Sequence, residues 1–216
     1  MSALRWLDSH CHLGASEFDA DRPAVIERAR AAGVDTLLAI GSGYGLERCA
    51  ETLRLADETP GVFASVGVHP HDASAWDASA RALVERWLGA PRVVAVGECG
   101  LDYWYERSPR EVQRRALAEQ LGLARERDLP VSLHVRGRDE AAYEELLDLW
   151  KVEGAGALAG VLHCYTHTEA YARRALDTGL YVSFSGILTF RRDRGLREVC
   201  ILGRGAGALQ RIQHQH

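Results

Sequence analysis

Residues 7–14, LDSHCHLG, close a short apolar run with two histidines separated by a single residue. Alternation along a strand sends residues i and i+2 to the same face, so His10 and His12 point together while Cys11 points away. Three more residues of metal-ligand type close apolar runs of their own. They are Glu98 in VVAVGECGLD (93–102), His134 in VSLHVR (131–136) and His163 in GVLHCY (160–165). Imidazole and carboxylate together suit a divalent ion such as Zn, Mn, Fe or Ni. The competing reading is a scatter of unrelated core histidines.

Working outward, strand-like and helix-like runs alternate along the chain. Strands are predicted at Arg5–Ser9, Asp35–Ile40, Val62–Val68, Val93–Val96, Val131–His134, Gly160–His163 and Tyr181–Phe184. Helices are predicted at Pro23–Ala32, Leu46–Asp57, Ser79–Leu88, Pro109–Arg127, Glu140–Trp150, Glu169–Asp177 and about Gly195–Val199. Pro23 and Pro109 sit at first turns, and Gly33 and Gly179 where helix-ending glycines belong. Parallel neighbours need helical crossovers, so seven β-α repeats imply an α/β fold with a parallel sheet. An open doubly wound sheet would spread the four strand-end ligands along a line. They converge only if the sheet closes around one mouth, which selects the TIM-type (β/α)8 barrel.

Length and composition fit one soluble domain, with 216 residues, 47% hydrophobic and 26% charged. No apolar run approaches a membrane span and no signal-peptide layout opens the chain, so a cytoplasmic protein with no membrane partner is expected. The five cysteines are odd in number, widely spaced and free of C-x-x-C pairs, which argues against a disulfide framework. Cys11, Cys99 and Cys164 each follow a candidate ligand and are expected to pack outward as small apolar residues. A net charge of −4 favours nucleic acid only through local basic clusters.

The segments LDSHCHL, SVGVHPHDA, VVAVGECGLDYW, LPVSLHVRGRD, GVLHCYTHT and YVSFSGILTF resemble those of the TatD-type metal-dependent deoxyribonucleases, a branch of the amidohydrolase-like TIM barrels. They cover about residues 6–199. The resemblance implies a hydrolase that cleaves phosphodiester bonds of DNA, acting as a 3′-5′ exonuclease on single strands or 3′ ends. It implies two divalent ions (Zn, Mn, Mg, Fe or Ni), with His10, His12 and Glu98 on one, His134 and His163 on the other, and Glu98 bridging them. A carboxylate has two oxygens and can span two ions, whereas an imidazole facing the site offers one nitrogen. Two ions about 3.5–4 Å apart can stabilise both the attacking and the leaving oxygen of a displacement.

The resemblance stops after LREV. The family continues there into an eighth strand with a Glu-Thr-Asp-Ala-Pro-like end, whose Asp is a metal ligand and proton acceptor. This chain reads CILGRGAGALQRIQHQH, with no acidic residue after Glu198. The expectation is a barrel over residues 1–199 lacking a recognisable eighth strand-helix unit, followed by an atypical tail over 200–216. The tail is expected neither to continue the last helix nor to form a central strand. The catalytic proton acceptor is therefore unassigned. Two other readings stay open: the same barrel acting on a non-nucleic-acid ester, amide or lactone, and a truncated, catalytically impaired metal-binding chain. His214 and His216 are expected to be chance residues of a frayed end.

Other residues at the predicted mouth complete the reading. His69, after the third strand, either faces a substrate phosphate or shapes the loop beside Pro70, and His71 is expected to shape the loop. Asp102 is expected to orient a ligand histidine. Tyr103 and Trp104 either stack a nucleobase or pack under the loop. Arg136, just past His134, is the leading phosphate clamp, with Arg138 beside it. Arg191, Arg192 and Arg194 form a second cluster that also reads as a solvated charge run. Arg107, Arg110, Arg114 and Arg115 read as an exposed helix face. Thr168 is a helix cap and His167 a surface residue.

Overall fold

A computed structural model describes residues 5–154, 156, 158–189, 195–203 and 212–213. Arg191, Arg192, Arg194, His214 and His216 lie outside the described residues. The chain runs β1 (Trp6–Cys11), α1 (Arg22–Ala31), β2 (Val34–Ile40), α2 (Gly45–Glu58), β3 (Val62–Val66), α3 (Ala78–Trp87), β4 (Val93–Asp102) and α4 (Arg110–Arg127). It continues through β5 (Val131–Arg136), α5 (Ala141–Leu149), β6 (Gly160–Leu162), α6 (Glu169–Asp177), β7 (Leu180–Val182), β8 (Phe184–Ser185), α7 (Leu196–Gly203) and β9 (Ile212–Gln213). Strands β1 to β7 form one sheet in sequential order, and every pairing is parallel. The sheet curls. Ser132 of β5 comes within 3.3 Å of His10 on β1, and His163, just past β6, stacks on the same ring. The parallel α/β barrel architecture expected from the strand-end ligands is the observed one.

The strands bury apolar residues on both faces, as parallel strands covered by helices must. Val62, Ala64, Val66, Val96, Leu101 and Leu162 are inaccessible to solvent, and Leu123 and Leu147 of the covering helices are equally buried. No helix among the described residues is long and apolar enough to cross a membrane.

Three departures from the sequence reading have physical causes. β4 runs to Asp102, six residues beyond the expected end at Val96. Glycine ordinarily weakens a strand, but Gly97 (φ +116°) and Gly100 (φ +152°) here permit a bulge and a close approach to β5. A Cβ at Gly100 would lie 1.9 Å from the His134 carbonyl oxygen, and one at Gly97 would lie 2.4 Å from that of Ser132. Second, α7 continues through Cys200 to Gly203, since Cys-Ile-Leu extends the apolar run before glycine stops it. The expected boundary at residue 199 thus falls inside a helix. Third, Ile212–Gln213 of the tail pairs in parallel with Phe184–Ser185 and lies against β1. This two-residue strand occupies the gap between the first and last strands of the barrel, where no strand was expected. Among the described residues no helical unit accompanies it.

Helix α4 braces the mouth through two buried amides. Gln120 accepts from the Val68 N–H at 2.7 Å and donates to the Val68 carbonyl at 3.1 Å. Gln113 accepts from the Asp102 N–H at 2.7 Å and donates to the carbonyls of Asp102 and Ser108. Spaced seven apart, the two residues share one helix face and hold the exits of β3 and β4. Leucine at position 120 would leave both Val68 backbone groups buried without a partner, each costing about 1–3 kcal/mol. Gln120→Leu is expected to lower unfolding free energy by about 2–4 kcal/mol in urea titration. A change below about 1 kcal/mol would show that water or backbone relaxation replaces the brace.

Candidate metal centre

Glu98 sits at the centre of the mouth, 3% exposed, with its backbone N–H donating to Ser42 Oγ at 2.8 Å. Its two carboxylate oxygens face different histidines. Oε2 lies 3.3 Å from His10 Nε2 and 3.8 Å from His12 Nε2, and Oε1 lies 3.1 Å from His134 Nδ1. His10 and His12 do share a face, with their Nε2 atoms 3.2 Å apart. The His163 ring lies parallel to that of His10, with centroids 3.3 Å apart. Ligand atoms of His10, Glu98 and His163 all lie within 4.8 Å of one another, as do those of His69, Glu98 and His134.

This grouping differs from the one the resemblance implies. The curl of the sheet carries His163 across the mouth to His10 on β1 rather than to His134. His69 takes the place beside His134, with ring centroids 4.6 Å apart. His69 had two readings from sequence, and its ring lies beside the candidate ligands Glu98 and His134. Its Nδ1 accepts from the His71 N–H at 3.2 Å, which leaves Nε2 for the site.

Asp102 reaches the cluster from the end of β4. Oδ2 bonds His134 Nε2 at 3.1 Å and His71 Nε2 at 2.9 Å, while Oδ1 accepts the backbone N–H groups of Trp104 and Tyr105. His134 thus presents Nδ1 to the centre. His71 shapes the loop as expected, its carbonyl accepting from Ser108 Oγ at 2.9 Å, and it also braces Asp102.

The protonation pattern suits a cation site. Burial disfavours the imidazolium form and pushes His69 and His163 down to about 3 and His12 down to about 4. These rings are neutral at pH 7 and carry lone pairs. Burial also opposes charge on His134, but hydrogen bonds to Asp102 and Glu98 raise it to about 9. Burial would raise Glu98, yet His10, His134 and His163 together hold its carboxyl well below the usual range. His12 Nδ1 and His163 Nδ1 are buried without a hydrogen-bond partner. Neutral His12, His69 and His163 around an ionised carboxylate, with buried nitrogens unsatisfied, fit a divalent ion, whose binding would displace the proton that Asp102 and Glu98 favour on His134.

Tyr103 does not line this site. Its ring is 2% exposed beneath the loop, with the hydroxyl donating to Glu145 Oε2 at 2.6 Å and Arg110 over the ring face. A ring so enclosed has no face to offer a base, so the expectation of substrate contact is corrected. Trp104 and Tyr105, the next two residues of this turn, are exposed, at 39% and 51%. The cleft above the cluster encloses about 790 Å³ and is bordered by Tyr44, Trp104, Arg136, Arg138 and Tyr143, among others. Two further expectations change. Cys11 and Cys99 pack in the body of the fold, but Cys164 (φ +48°) turns into the cleft, its Sγ 2.9 Å from Ser185 Oγ. His167 is no free surface residue, since it stacks on Tyr143 at 3.9 Å, bonds Glu140 and borders the cleft. Thr168 caps α6, accepting from the Tyr171 N–H.

The family described as TatD related DNase matches residues 7–205. The chain belongs to this family. It is 42% identical over 189 residues to the 3′-5′ ssDNA/RNA exonuclease TatD of Cronobacter sakazakii, covering 88% of this chain and 69% of that protein. It is 33% identical over 192 residues to the metal-dependent hydrolase YabD of Bacillus subtilis, covering 89% and 73%. Among solved structures, the TatD homologue YJJV of Escherichia coli K12 superposes with a TM-score of 0.81 at 30% identity, covering 91% of this chain and 74% of that one. This TatD-family chain is accordingly a metal-dependent hydrolase by descent.

Residues that orient histidine ligands typically contribute 10–100-fold to metal affinity. Asp102→Asn retains the shape but places an amide where His134 and His71 now find one oxygen. Its affinity for Mn²⁺, measured by calorimetry, is expected to fall about 10–100-fold. Unchanged affinity would mean that His134 is not oriented by Asp102.

Proposed function

We propose that this chain hydrolyses phosphodiester bonds at the 3′ end of single-stranded nucleic acid, using two divalent ions. The observation that carries the reading is Glu98, whose two oxygens face two separate histidine groups. His10, His12 and His163 with Glu98 Oε2 would hold one ion, and His134 and His69 with Oε1 the other. Bound divalent ions supply positive charge against the phosphoryl oxygens and make bound water acidic enough to act as a nucleophile near neutral pH.

The remaining work falls to the protein's own groups. Asp102 fixes the tautomer and direction of His134, and Ser42 fixes the Glu98 backbone. Arg136, the last residue of β5, stands exposed at the cleft with a guanidinium fork suited to phosphate oxygens. Glu98, Asp102 and Ser42 are buried, and the low local dielectric strengthens their hydrogen bonds. Among the described residues two carboxylates touch the histidine cluster, Glu98 at its centre and Asp102 on the far side of His134, and neither is assigned as the proton acceptor. A 3′-terminal, single-stranded substrate is supported by the name of the TatD relative.

The test is hydrolysis of a 5′-labelled single-stranded oligonucleotide with Mn²⁺ or Mg²⁺. Products are expected to shorten stepwise from the 3′ end, to vanish with chelator, and to form at least 100-fold more slowly in His134→Ala, a rise of about 2.7 kcal/mol in barrier. Faster cleavage of small esters than of oligonucleotides would move the reading to another substrate class. No turnover of either by a folded chain that binds metal would favour an impaired metal-binding protein.

A further inference from the structure

Most arginines of this acidic protein are neutralised locally. On the helices, Arg54, Arg110, Arg114, Arg173 and Arg174 each meet a carboxylate. At the cleft the pattern reverses. Among the described residues Arg136 and Arg138 have no carboxylate within 4.0 Å, and both instead lie beside aromatic rings. Arg136 is 5.3 Å from the Trp104 ring centre and 5.0 Å from that of Tyr105, and Arg138 is 5.4 Å from that of Trp104. The acidic residues at the same rim are already engaged. Asp139 accepts the Ala141 N–H and Glu140 pairs with His167.

The two rings have a fixed relation to the metal centre. Both their backbone N–H groups, at 3.0 and 2.8 Å, bond the one Asp102 oxygen not used by His134. One carboxylate thus links His134 to the turn that carries the exposed aromatic rings. Partly exposed aromatic faces interleaved with uncompensated guanidinium groups are the arrangement that takes a stacked base with its phosphate.

We propose that Trp104, Tyr105 and Arg138 form a second nucleotide subsite, which stacks the base next to the scissile phosphodiester and holds the phosphate beyond it. The inference rests on the nucleic-acid reading above and adds that the cleft recognises at least two consecutive nucleotides without base preference, since every base offers a π face. Binding should therefore rise with length from mononucleotide to short oligomer and then level off.

The test is fluorescence anisotropy of labelled single-stranded oligothymidylates of one to eight nucleotides, with the full chain in chelator so that nothing is cleaved. Trp104→Ala is expected to weaken binding of the longer oligomers roughly tenfold, with Trp104→Phe recovering most of it. Arg138→Ala should weaken binding and flatten its salt dependence by about one ion. Arg54→Ala, on the outer face of α2, should bind as the parent chain does. Circular dichroism and thermal midpoints of all variants show whether they are folded. A parent chain that binds and cleaves oligonucleotides, with a folded Trp104→Ala equal to it at every length, would overturn the subsite and leave the nuclease reading intact. A parent chain that neither binds nor cleaves any oligonucleotide would overturn both.

Discussion

An ionised carboxylate buried at the bottom of a barrel mouth carries a desolvation cost of several kcal/mol unless opposite charge or strong donors surround it. Glu98 is that group, and much of the surrounding structure answers its requirement. Ser42 takes its backbone, His134 meets one of its oxygens, and His10 and His12 approach the other. The same arrangement that makes the centre electrostatically demanding makes it receptive to divalent cations. Stability and function therefore share one set of contacts here, and changes around Glu98 act on both.

The support for this centre is hierarchical. Gly97 and Gly100 let β4 run against β5, which sets the depth of Glu98 relative to His134. Asp102, two residues beyond Gly100, then reaches His134 and His71 with one oxygen and the Trp104–Tyr105 turn with the other. Gln113 holds the Asp102 backbone from below, and Gln120 does the same at the exit of β3. A helix on the outside of the barrel thus governs two of its catalytic-face loops. Neutral amides suit this task, because each supplies a donor and an acceptor to backbone groups without adding charge beside a cation site.

Much of the architecture was readable from the chain. Alternation of apolar runs with amphipathic ones located all seven strands of the main sheet, and helix ends matched where Gly33, Gly179 and Thr168 mark them. Failures cluster where local signals conflict with tertiary demands. The GECGLD run looked like a loop because glycine disfavours strands, yet close packing against β5 requires those glycines. The tail looked structureless, yet Ile212–Gln213 pairs with β8, because an open parallel edge recruits whatever extended segment can reach it. Tyr103 and Trp104, adjacent in sequence, were indistinguishable until the turn sent one ring inward and the other to the cleft. Gln113 and Gln120 gave one usable signal, a seven-residue spacing on an otherwise apolar helix face, that pattern reading passed over.

By itself the sequence determined the kinds of chemistry available: ligand-type side chains closing separate apolar runs, a repeating β-α order, and arginines past the fifth strand. These follow from periodicity, which depends only on local backbone geometry. Which histidines lie together was decided by the tertiary structure alone. The curl of the sheet sets His163 against His10 and His69 against His134, residues separated by 153 and 65 positions. No local pattern encodes the degree of that curl. It emerges from the packing of helices on a twisted parallel sheet, and contacts across the mouth exist only once that packing is complete.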